Sequence, residues 1–185
     1  MEFSLEIDKV KSIFRQTYLA DKSRKENDAE HSWHASVMAI ILAEYFPNVD
    51  LLKVIKMMLF HDIVEIYAGD TYCYDAKGNE DKEEREMNSA NKIYSLLPSS
   101  QKDEFIDLWW EFEKGESEEA KFCAVLDRLQ PLMLNYAADG RSWKEHDIKQ
   151  EQVLERNHIA LKEHDVIGQY IKDIIEDAHK KGYLN

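Results

Sequence analysis

The stretch Met57-Met58-Leu59-Phe60-His61-Asp62-Ile63-Val64-Glu65-Ile66-Tyr67-Ala68-Gly69-Asp70 sets a polar triad inside the most apolar run of the chain. Leu52, Ile55, Met58/Leu59 and Ile63 recur at helical spacing, which predicts a buried central helix from Leu51 to Ala68. Asp50 is placed to cap it and Gly69 to end it. Ionisable groups inside such a helix are costly to bury unless they pair with one another or bind a cation. Glu65 lies four residues after His61 and shares its side of the helix. Taken alone, the helix leaves a metal site and a buried hydrogen-bonded pair equally open.

The rest of the chain reads as helix. Ile7, Val10, Ile13/Phe14 and Tyr18 keep helical spacing, and the polar stretch Ala20–Asp28 reads as a loop. A second helix starts at Asp28, taken as its N-cap, and stops at Pro47-Asn48. Residues 70–80 form a loop, and a charged helix follows from Asp81 to Leu97. Ser100 and Ser117 cap the next two helices, which end at Gly115 and Gly140. Arg141–Asp147 reads as a loop, and Lys149–Lys181 as helix broken near His164-Asp165. No alternating apolar window argues for a strand. The expectation is an all-α chain, one domain over residues 1–185 with about six to eight helices.

Composition narrows the partners. A net charge of −13 repels the phosphate backbone of long nucleic acid and anionic lipid alike. A small anionic substrate stays admissible, because a bound cation reverses the local field. No apolar run reaches membrane-spanning length, and the N-terminus lacks a cationic segment followed by an apolar one, so the expectation is a cytoplasmic protein. Cys73 and Cys123 follow no zinc or disulfide spacing and read as reduced thiols. Gly-rich phosphate loops, Gly-x-Ser-x-Gly elbows and His-Glu-x-x-His are all missing.

Two further signals join the central helix. His31 stands where the polar first turn of the second helix meets its apolar stripe, with His34 as a rival one turn on. Asp127 is set among apolar residues in Phe122–Leu134, where a cation or a basic side chain is the natural partner. Imidazole and carboxylate together suit a divalent transition metal, and two of each leave positions for water and substrate. His146-Asp147 and His164-Asp165 lie among charged residues and read as solvated surface. Asp70, just past the helix end, suits a substrate hydroxyl or a plain turn. Arg15, with Arg24 and Lys25 nearby, suits a phosphate clamp or a solvated helix face. Trp33 and Trp143 are candidates to stack on a base, though core packing is the commoner fate of tryptophan.

His31, His61-Asp62 and Asp127 on successive helices resemble the HD-domain metal-dependent phosphohydrolases. Glu26–Ser32, His61–Asp70 and Leu126–Pro131 are similar to the branch containing the bacterial 5′-deoxynucleotidases, over roughly residues 5–160. The resemblance implies His31, His61, Asp62 and Asp127 as metal ligands and Glu65 as the residue that positions or activates water. It implies Asp70 as a contact to the sugar and Arg15 as the phosphate contact. Those enzymes carry an Arg-Trp pair before the first histidine, and here Phe14-Arg15-Gln16-Thr17-Tyr18 has no tryptophan. The implied reaction is hydrolysis of a (deoxy)ribonucleoside 5′-monophosphate with manganese, cobalt or iron rather than magnesium, whose preference is for oxygen ligands. Hydrolysis of a triphosphate or cyclic nucleotide, and a non-catalytic metal- and nucleotide-binding sensor, are the alternatives. Relatives in this family are often dimers, so a homodimer is expected, with Phe105–Phe112 as either an exposed face or core.

Overall fold

The computed structural model describes residues 1–185. The chain begins with a short helix α1 (Glu2–Glu6) and a 3₁₀ segment over Ile7–Ser12. Next come two strands, β1 (Phe14–Tyr18) and β2 (Lys25–Asn27). They pair antiparallel, Phe14 with Asn27 and Tyr18 with Lys25, across an irregular register. The helix expected through Tyr18 therefore ends early, and the loop expected over Ala20–Asp28 contains a strand. Phe, Thr and Tyr in Phe14–Tyr18 favour extended backbone. The extended chain puts Arg15 and Thr17 on one face, and both line the pocket described below.

Helix α2 (Asp28–Leu42) starts one residue earlier than expected at its cap. Asn27, not Asp28, is the N-cap, in a reciprocal capping box with Glu30. Asp28 is freed for the interior, where it is fully buried. Helix α3 (Leu51–Phe60) is capped by Asp50, whose side chain accepts from the backbone of Leu52 and Lys53. The single helix expected to Ala68 is broken. His61–Val64 tightens into a 3₁₀ turn before α4 (Glu65–Ala68), and Gly69 leaves it at φ 79°. Residues three apart eclipse in a 3₁₀ turn, which aligns Asp62 with Glu65.

Helices α5 (Lys82–Tyr94), α6 (Ser99–Lys114) and α7 (Glu118–Ala137) follow. Pro98 rather than Ser100 stands at the start of α6, and Ser117 caps α7 as expected. Arg141–Glu145 forms α8 where a loop was expected, with Trp143 buried in it. The last stretch divides into α9 (Gln150–Arg156), α10 (His158–Glu163) and α11 (Asp165–Lys180). The helices are thus shorter and more numerous than the pattern implied.

A core of 24 buried residues joins α2, α3, α7 and α11 around Phe122, Leu126, Ile171 and Ile175. A smaller cluster packs Ile63 and Val64 against Ala90, Ile93, Tyr94 and Trp109. Phe105–Phe112 takes the core fate. Leu108 and Trp109 are buried, and Phe105 stacks on Phe60 at 4.0 Å between ring centroids. The two clusters hold α3, its 3₁₀ extension and α7 on either side of the polar residues.

Candidate metal centre and its pocket

Three segments deliver side chains to one point. His31 comes from the first turn of α2, His61 and Asp62 from the 3₁₀ turn, and Asp127 from the middle of α7. The Asp127 Oδ1 lies 3.3 Å from His31 Nε2 and 3.8 Å from His61 Nε2. Asp62 Oδ1 is 3.1 Å from His61 Nε2, and its Oδ2 is 3.8 Å from His31 Nε2.

Both imidazoles are fixed from behind. Gln130 gives its amide N–H to Glu26 at 2.7 Å, so its Oε1 accepts from His31 Nδ1 at 2.9 Å. His61 Nδ1 donates to the Met58 carbonyl at 2.9 Å. Each ring then turns its Nε2 inward, and both Nε2 atoms are buried without a hydrogen-bond partner. Lone pairs of two imidazoles and two carboxylates crowded this closely repel unless a cation or protons lie between them. The donor set, two imidazole nitrogens and two carboxylate groups with oriented imidazole backs, fits a divalent transition metal.

The electrostatics agree. Burial opposes charging of His61, but Asp62 and Asp127 overcome it and hold its pKa up at about 9. Burial would raise Asp127, yet the adjoining imidazoles of His31 and His61, with Arg156, hold it well below the usual carboxylate range. Asp62 is likewise lowered against its burial by His61 and Arg15. These are the attractions a metal would inherit.

Beside this point lies a second carboxylate group. Asp28, Asp62 and Glu65 bring ligand atoms within 4.8 Å of one another. Arg15 lies against it, 2.7 Å from Asp62 Oδ2 and 3.4 Å from Asp28 Oδ1. Burial disfavours the Arg15 charge, but the surrounding carboxylates keep it firmly protonated. Glu65 is pushed well above the ordinary carboxyl range by burial, then by the charges of Asp62 and Asp28. Burial and Asp62 push Asp28 up to about 7. One Glu65 oxygen has no partner at all.

His61, Asp62, Glu65, Asp127 and Arg15 line a cavity of about 300 Å³. Asp70, Lys82, Arg128, Trp143 and Arg156 are also among the residues that line it. Asp70 is held above its usual range, chiefly by burial. Other residues singled out in the sequence fall elsewhere. Arg24 is exposed and paired with Glu30, and Trp33 is 64% exposed. His34 turns its Nδ1 toward Gln130 at 3.2 Å.

Three residues of the site escaped the sequence reading. Asp28 was hidden by its resemblance to a cap. Gln130 carried a usable signal, a polar residue three after Asp127 on a buried face. Arg156, 3.2 Å from Asp127 Oδ2, had none.

A family model described as "HD domain" matches residues 7–167. The chain belongs to the HD domain family. This HD-domain chain is 33% identical over 110 residues to the 5′-deoxynucleotidase HDDC2 of Mus musculus, covering 60% of this chain and 54% of that protein. The Homo sapiens protein of the same name is 32% identical over 110 residues, with 60% and 53% covered. The chain thus spans about half the length of the curated relatives it matches. Among solved structures, a predicted metal-dependent phosphohydrolase from Magnetospirillum magnetotacticum superposes with a TM-score of 0.91 at 45% identity, covering 100% of this chain and 93% of that one. An HD-domain phosphohydrolase from Listeria innocua, 18% identical, shares the fold with a TM-score of 0.69 over 96% of this chain and 88% of its own.

Proposed function

We propose that this chain is a metal-dependent phosphomonoesterase, one HD-type domain over residues 1–185, that hydrolyses a (deoxy)ribonucleoside 5′-monophosphate to nucleoside and orthophosphate. One observation carries the reading. Two buried, unpartnered imidazole nitrogens from separate helical segments face two carboxylates across less than 4 Å. Similarity to the deoxynucleotidases and to the Magnetospirillum phosphohydrolase supports the reaction class.

His31, His61, Asp62 and Asp127 would hold the ion, with manganese, cobalt or iron favoured over magnesium by the two imidazoles. A cation so bound supplies a bound water of lowered pKa and a polarised phosphoryl oxygen. The chain's own groups do the rest. Arg15 swings its guanidinium from the carboxylates to the phosphate, where it offers a bidentate fork. Glu65 orients the attacking water and takes its proton; positive charge beside Asp62 lowers the proton affinity of Glu65 toward working range. Asp70 accepts a hydrogen bond from the sugar. With no tryptophan next to Arg15, selection of the deoxy sugar rests on Asp70.

A homodimer fits the exposed apolar residues Trp33, Ile40 and Ile41 of α2 and Leu52 and Leu59 of α3. The cysteines, Cys73 exposed and Cys123 buried, are unpaired, which suits the reducing cytoplasm. No helix is long and apolar enough to cross a membrane.

The test is orthophosphate release from ribo- and deoxyribonucleoside monophosphates with each metal in turn. Activity strongest on deoxynucleotides with manganese or cobalt is expected. Protein that binds metal yet leaves every phosphate ester intact would overturn the reading.

A further inference from the structure

Six arginines occur in the chain, and five meet a carboxylate: Arg15, Arg24, Arg85, Arg141 and Arg156. Arg128 does not. Its one hydrogen bond runs from Nη1 to the Ala124 carbonyl at 3.1 Å, one turn back on its own helix. Its Nε is buried without a partner. In a chain with 37 acidic residues, an arginine without an acid is an exception that needs a reason. Burial disfavours its charge, and the nearby Arg156 disfavours it further.

Both arginines line the same cavity as the metal-binding residues. Arg156 touches Asp127 Oδ2, the oxygen turned away from the imidazoles, so its guanidinium sits one carboxylate removed from the proposed ion. Arg128 follows Asp127 in the chain. Asn157, next to Arg156, also lines the cavity and has a buried Oδ1 without a partner. The cavity thus holds Arg15, ion-paired with Asp62 and Asp28, and also Arg128 and Arg156, of which Arg156 meets Asp127 and Arg128 forms no ion pair. Two guanidiniums facing one space are held apart by repulsion unless an anion lies between them. Their planar donors match the oxygens of a phosphate.

We propose that Arg128 and Arg156 form a second phosphate subsite, so that the preferred substrate carries a second phosphate besides the one hydrolysed. This rests on the phosphohydrolase reading and shifts its preferred substrate from the monophosphate to a nucleoside bisphosphate or diphosphate. Arg15 and the metal ligands act on the scissile group. Arg128 binds the other group and leaves the reacting atoms alone.

The experiment compares kcat and KM for a nucleoside 5′-monophosphate, its 3′,5′-bisphosphate and its 5′-diphosphate, in metal-loaded wild type and in Arg128→Gln and Arg128→Lys. Thermal unfolding of each variant checks folding. Wild type should favour one doubly phosphorylated substrate about ten- to hundredfold in kcat/KM, mainly through KM. Arg128→Gln should erase that preference, chiefly by raising KM for the doubly phosphorylated substrate, and Arg128→Lys should restore part of it. Wild type that prefers the monophosphate would overturn the proposal, as would a preference that Arg128→Gln leaves intact. If Arg128→Gln unfolds, the wild-type ranking and Arg128→Lys decide alone. No hydrolysis of any of the three would instead sink the underlying phosphohydrolase reading, so the two failures are distinguishable.

Discussion

The half of the cavity proposed to face a metal and the half proposed to face substrate are built differently. Metal-facing side chains project from buried helical backbone, and each imidazole is pinned by a second group: Gln130 behind His31, the Met58 carbonyl behind His61. Substrate-facing side chains come from a short two-stranded ribbon, from residues past Gly69, and from the partly exposed face of α7 and α9. One half is over-determined and has a single function to perform. The other is presented by strand, loop and half-exposed helix, where side chains can differ among chains that share the fold. That contrast explains why the chemistry is readable from the site while the substrate has to be inferred.

Breaking the pinned half should have the largest effect. His61→Ala or Asp127→Asn removes a proposed ligand, so metal content should fall to near zero by elemental analysis and turnover by roughly a thousandfold or more. Retention of stoichiometric metal by both variants would show that the cluster is not a ligand set. Next in size is Glu65→Gln, expected to lower kcat about a hundred- to ten-thousandfold with metal content intact. An unchanged kcat would assign the proton to another group. Gln130→Leu should weaken metal affinity about ten- to hundredfold by releasing the His31 ring, with kcat recovered at saturating metal. If titration gave wild-type affinity, the pinning argument would fail.

In the half proposed to face substrate, Asp70→Asn should change the ratio of deoxy to ribo turnover by about tenfold or less, the scale of a single neutral hydrogen bond. Smallest is a pH effect on chelated protein. His61 has a folded pKa of about 9 against about 6.5 in the unfolded chain. A raised pKa means its stabilisation is complete below pH 6.5 and is lost as pH rises through 9. Denaturation midpoints should fall across that window, and His61→Asn should flatten the fall. A steeper decline in the variant would contradict the sign.

Much of the metal-facing half was legible in the sequence because it depends on a contradiction that composition reveals: His61, Asp62 and Asp127 are ionisable residues inside apolar helices. The substrate-facing half was less legible. Arg15 was placed on a helix because Ile7, Val10 and Phe14 happen to keep helical spacing, and pairing with Lys25–Asn27 overrode that local pattern. Asp28 looked like a cap because Asp and Asn cap equally well, and only the capping box chose Asn27. Arg156 reaches Asp127 across the fold, 29 residues on, with no local signal to mark it. Trp143 was assigned to a loop because its helix has only five residues.

The tightened turn at His61–Val64 has a consequence of its own. An α-helical path over these positions advances about 100° per residue and a 3₁₀ path about 120°, so the two drift out of phase by about 60° between Asp62 and Glu65. Side-chain identity can vary at Ile63 and Val64 without disturbing that phase. Their number cannot. A one-residue deletion here should therefore harm the protein more than a bulky replacement does, because it would swing Glu65 away from Asp62 while leaving every chemical group present.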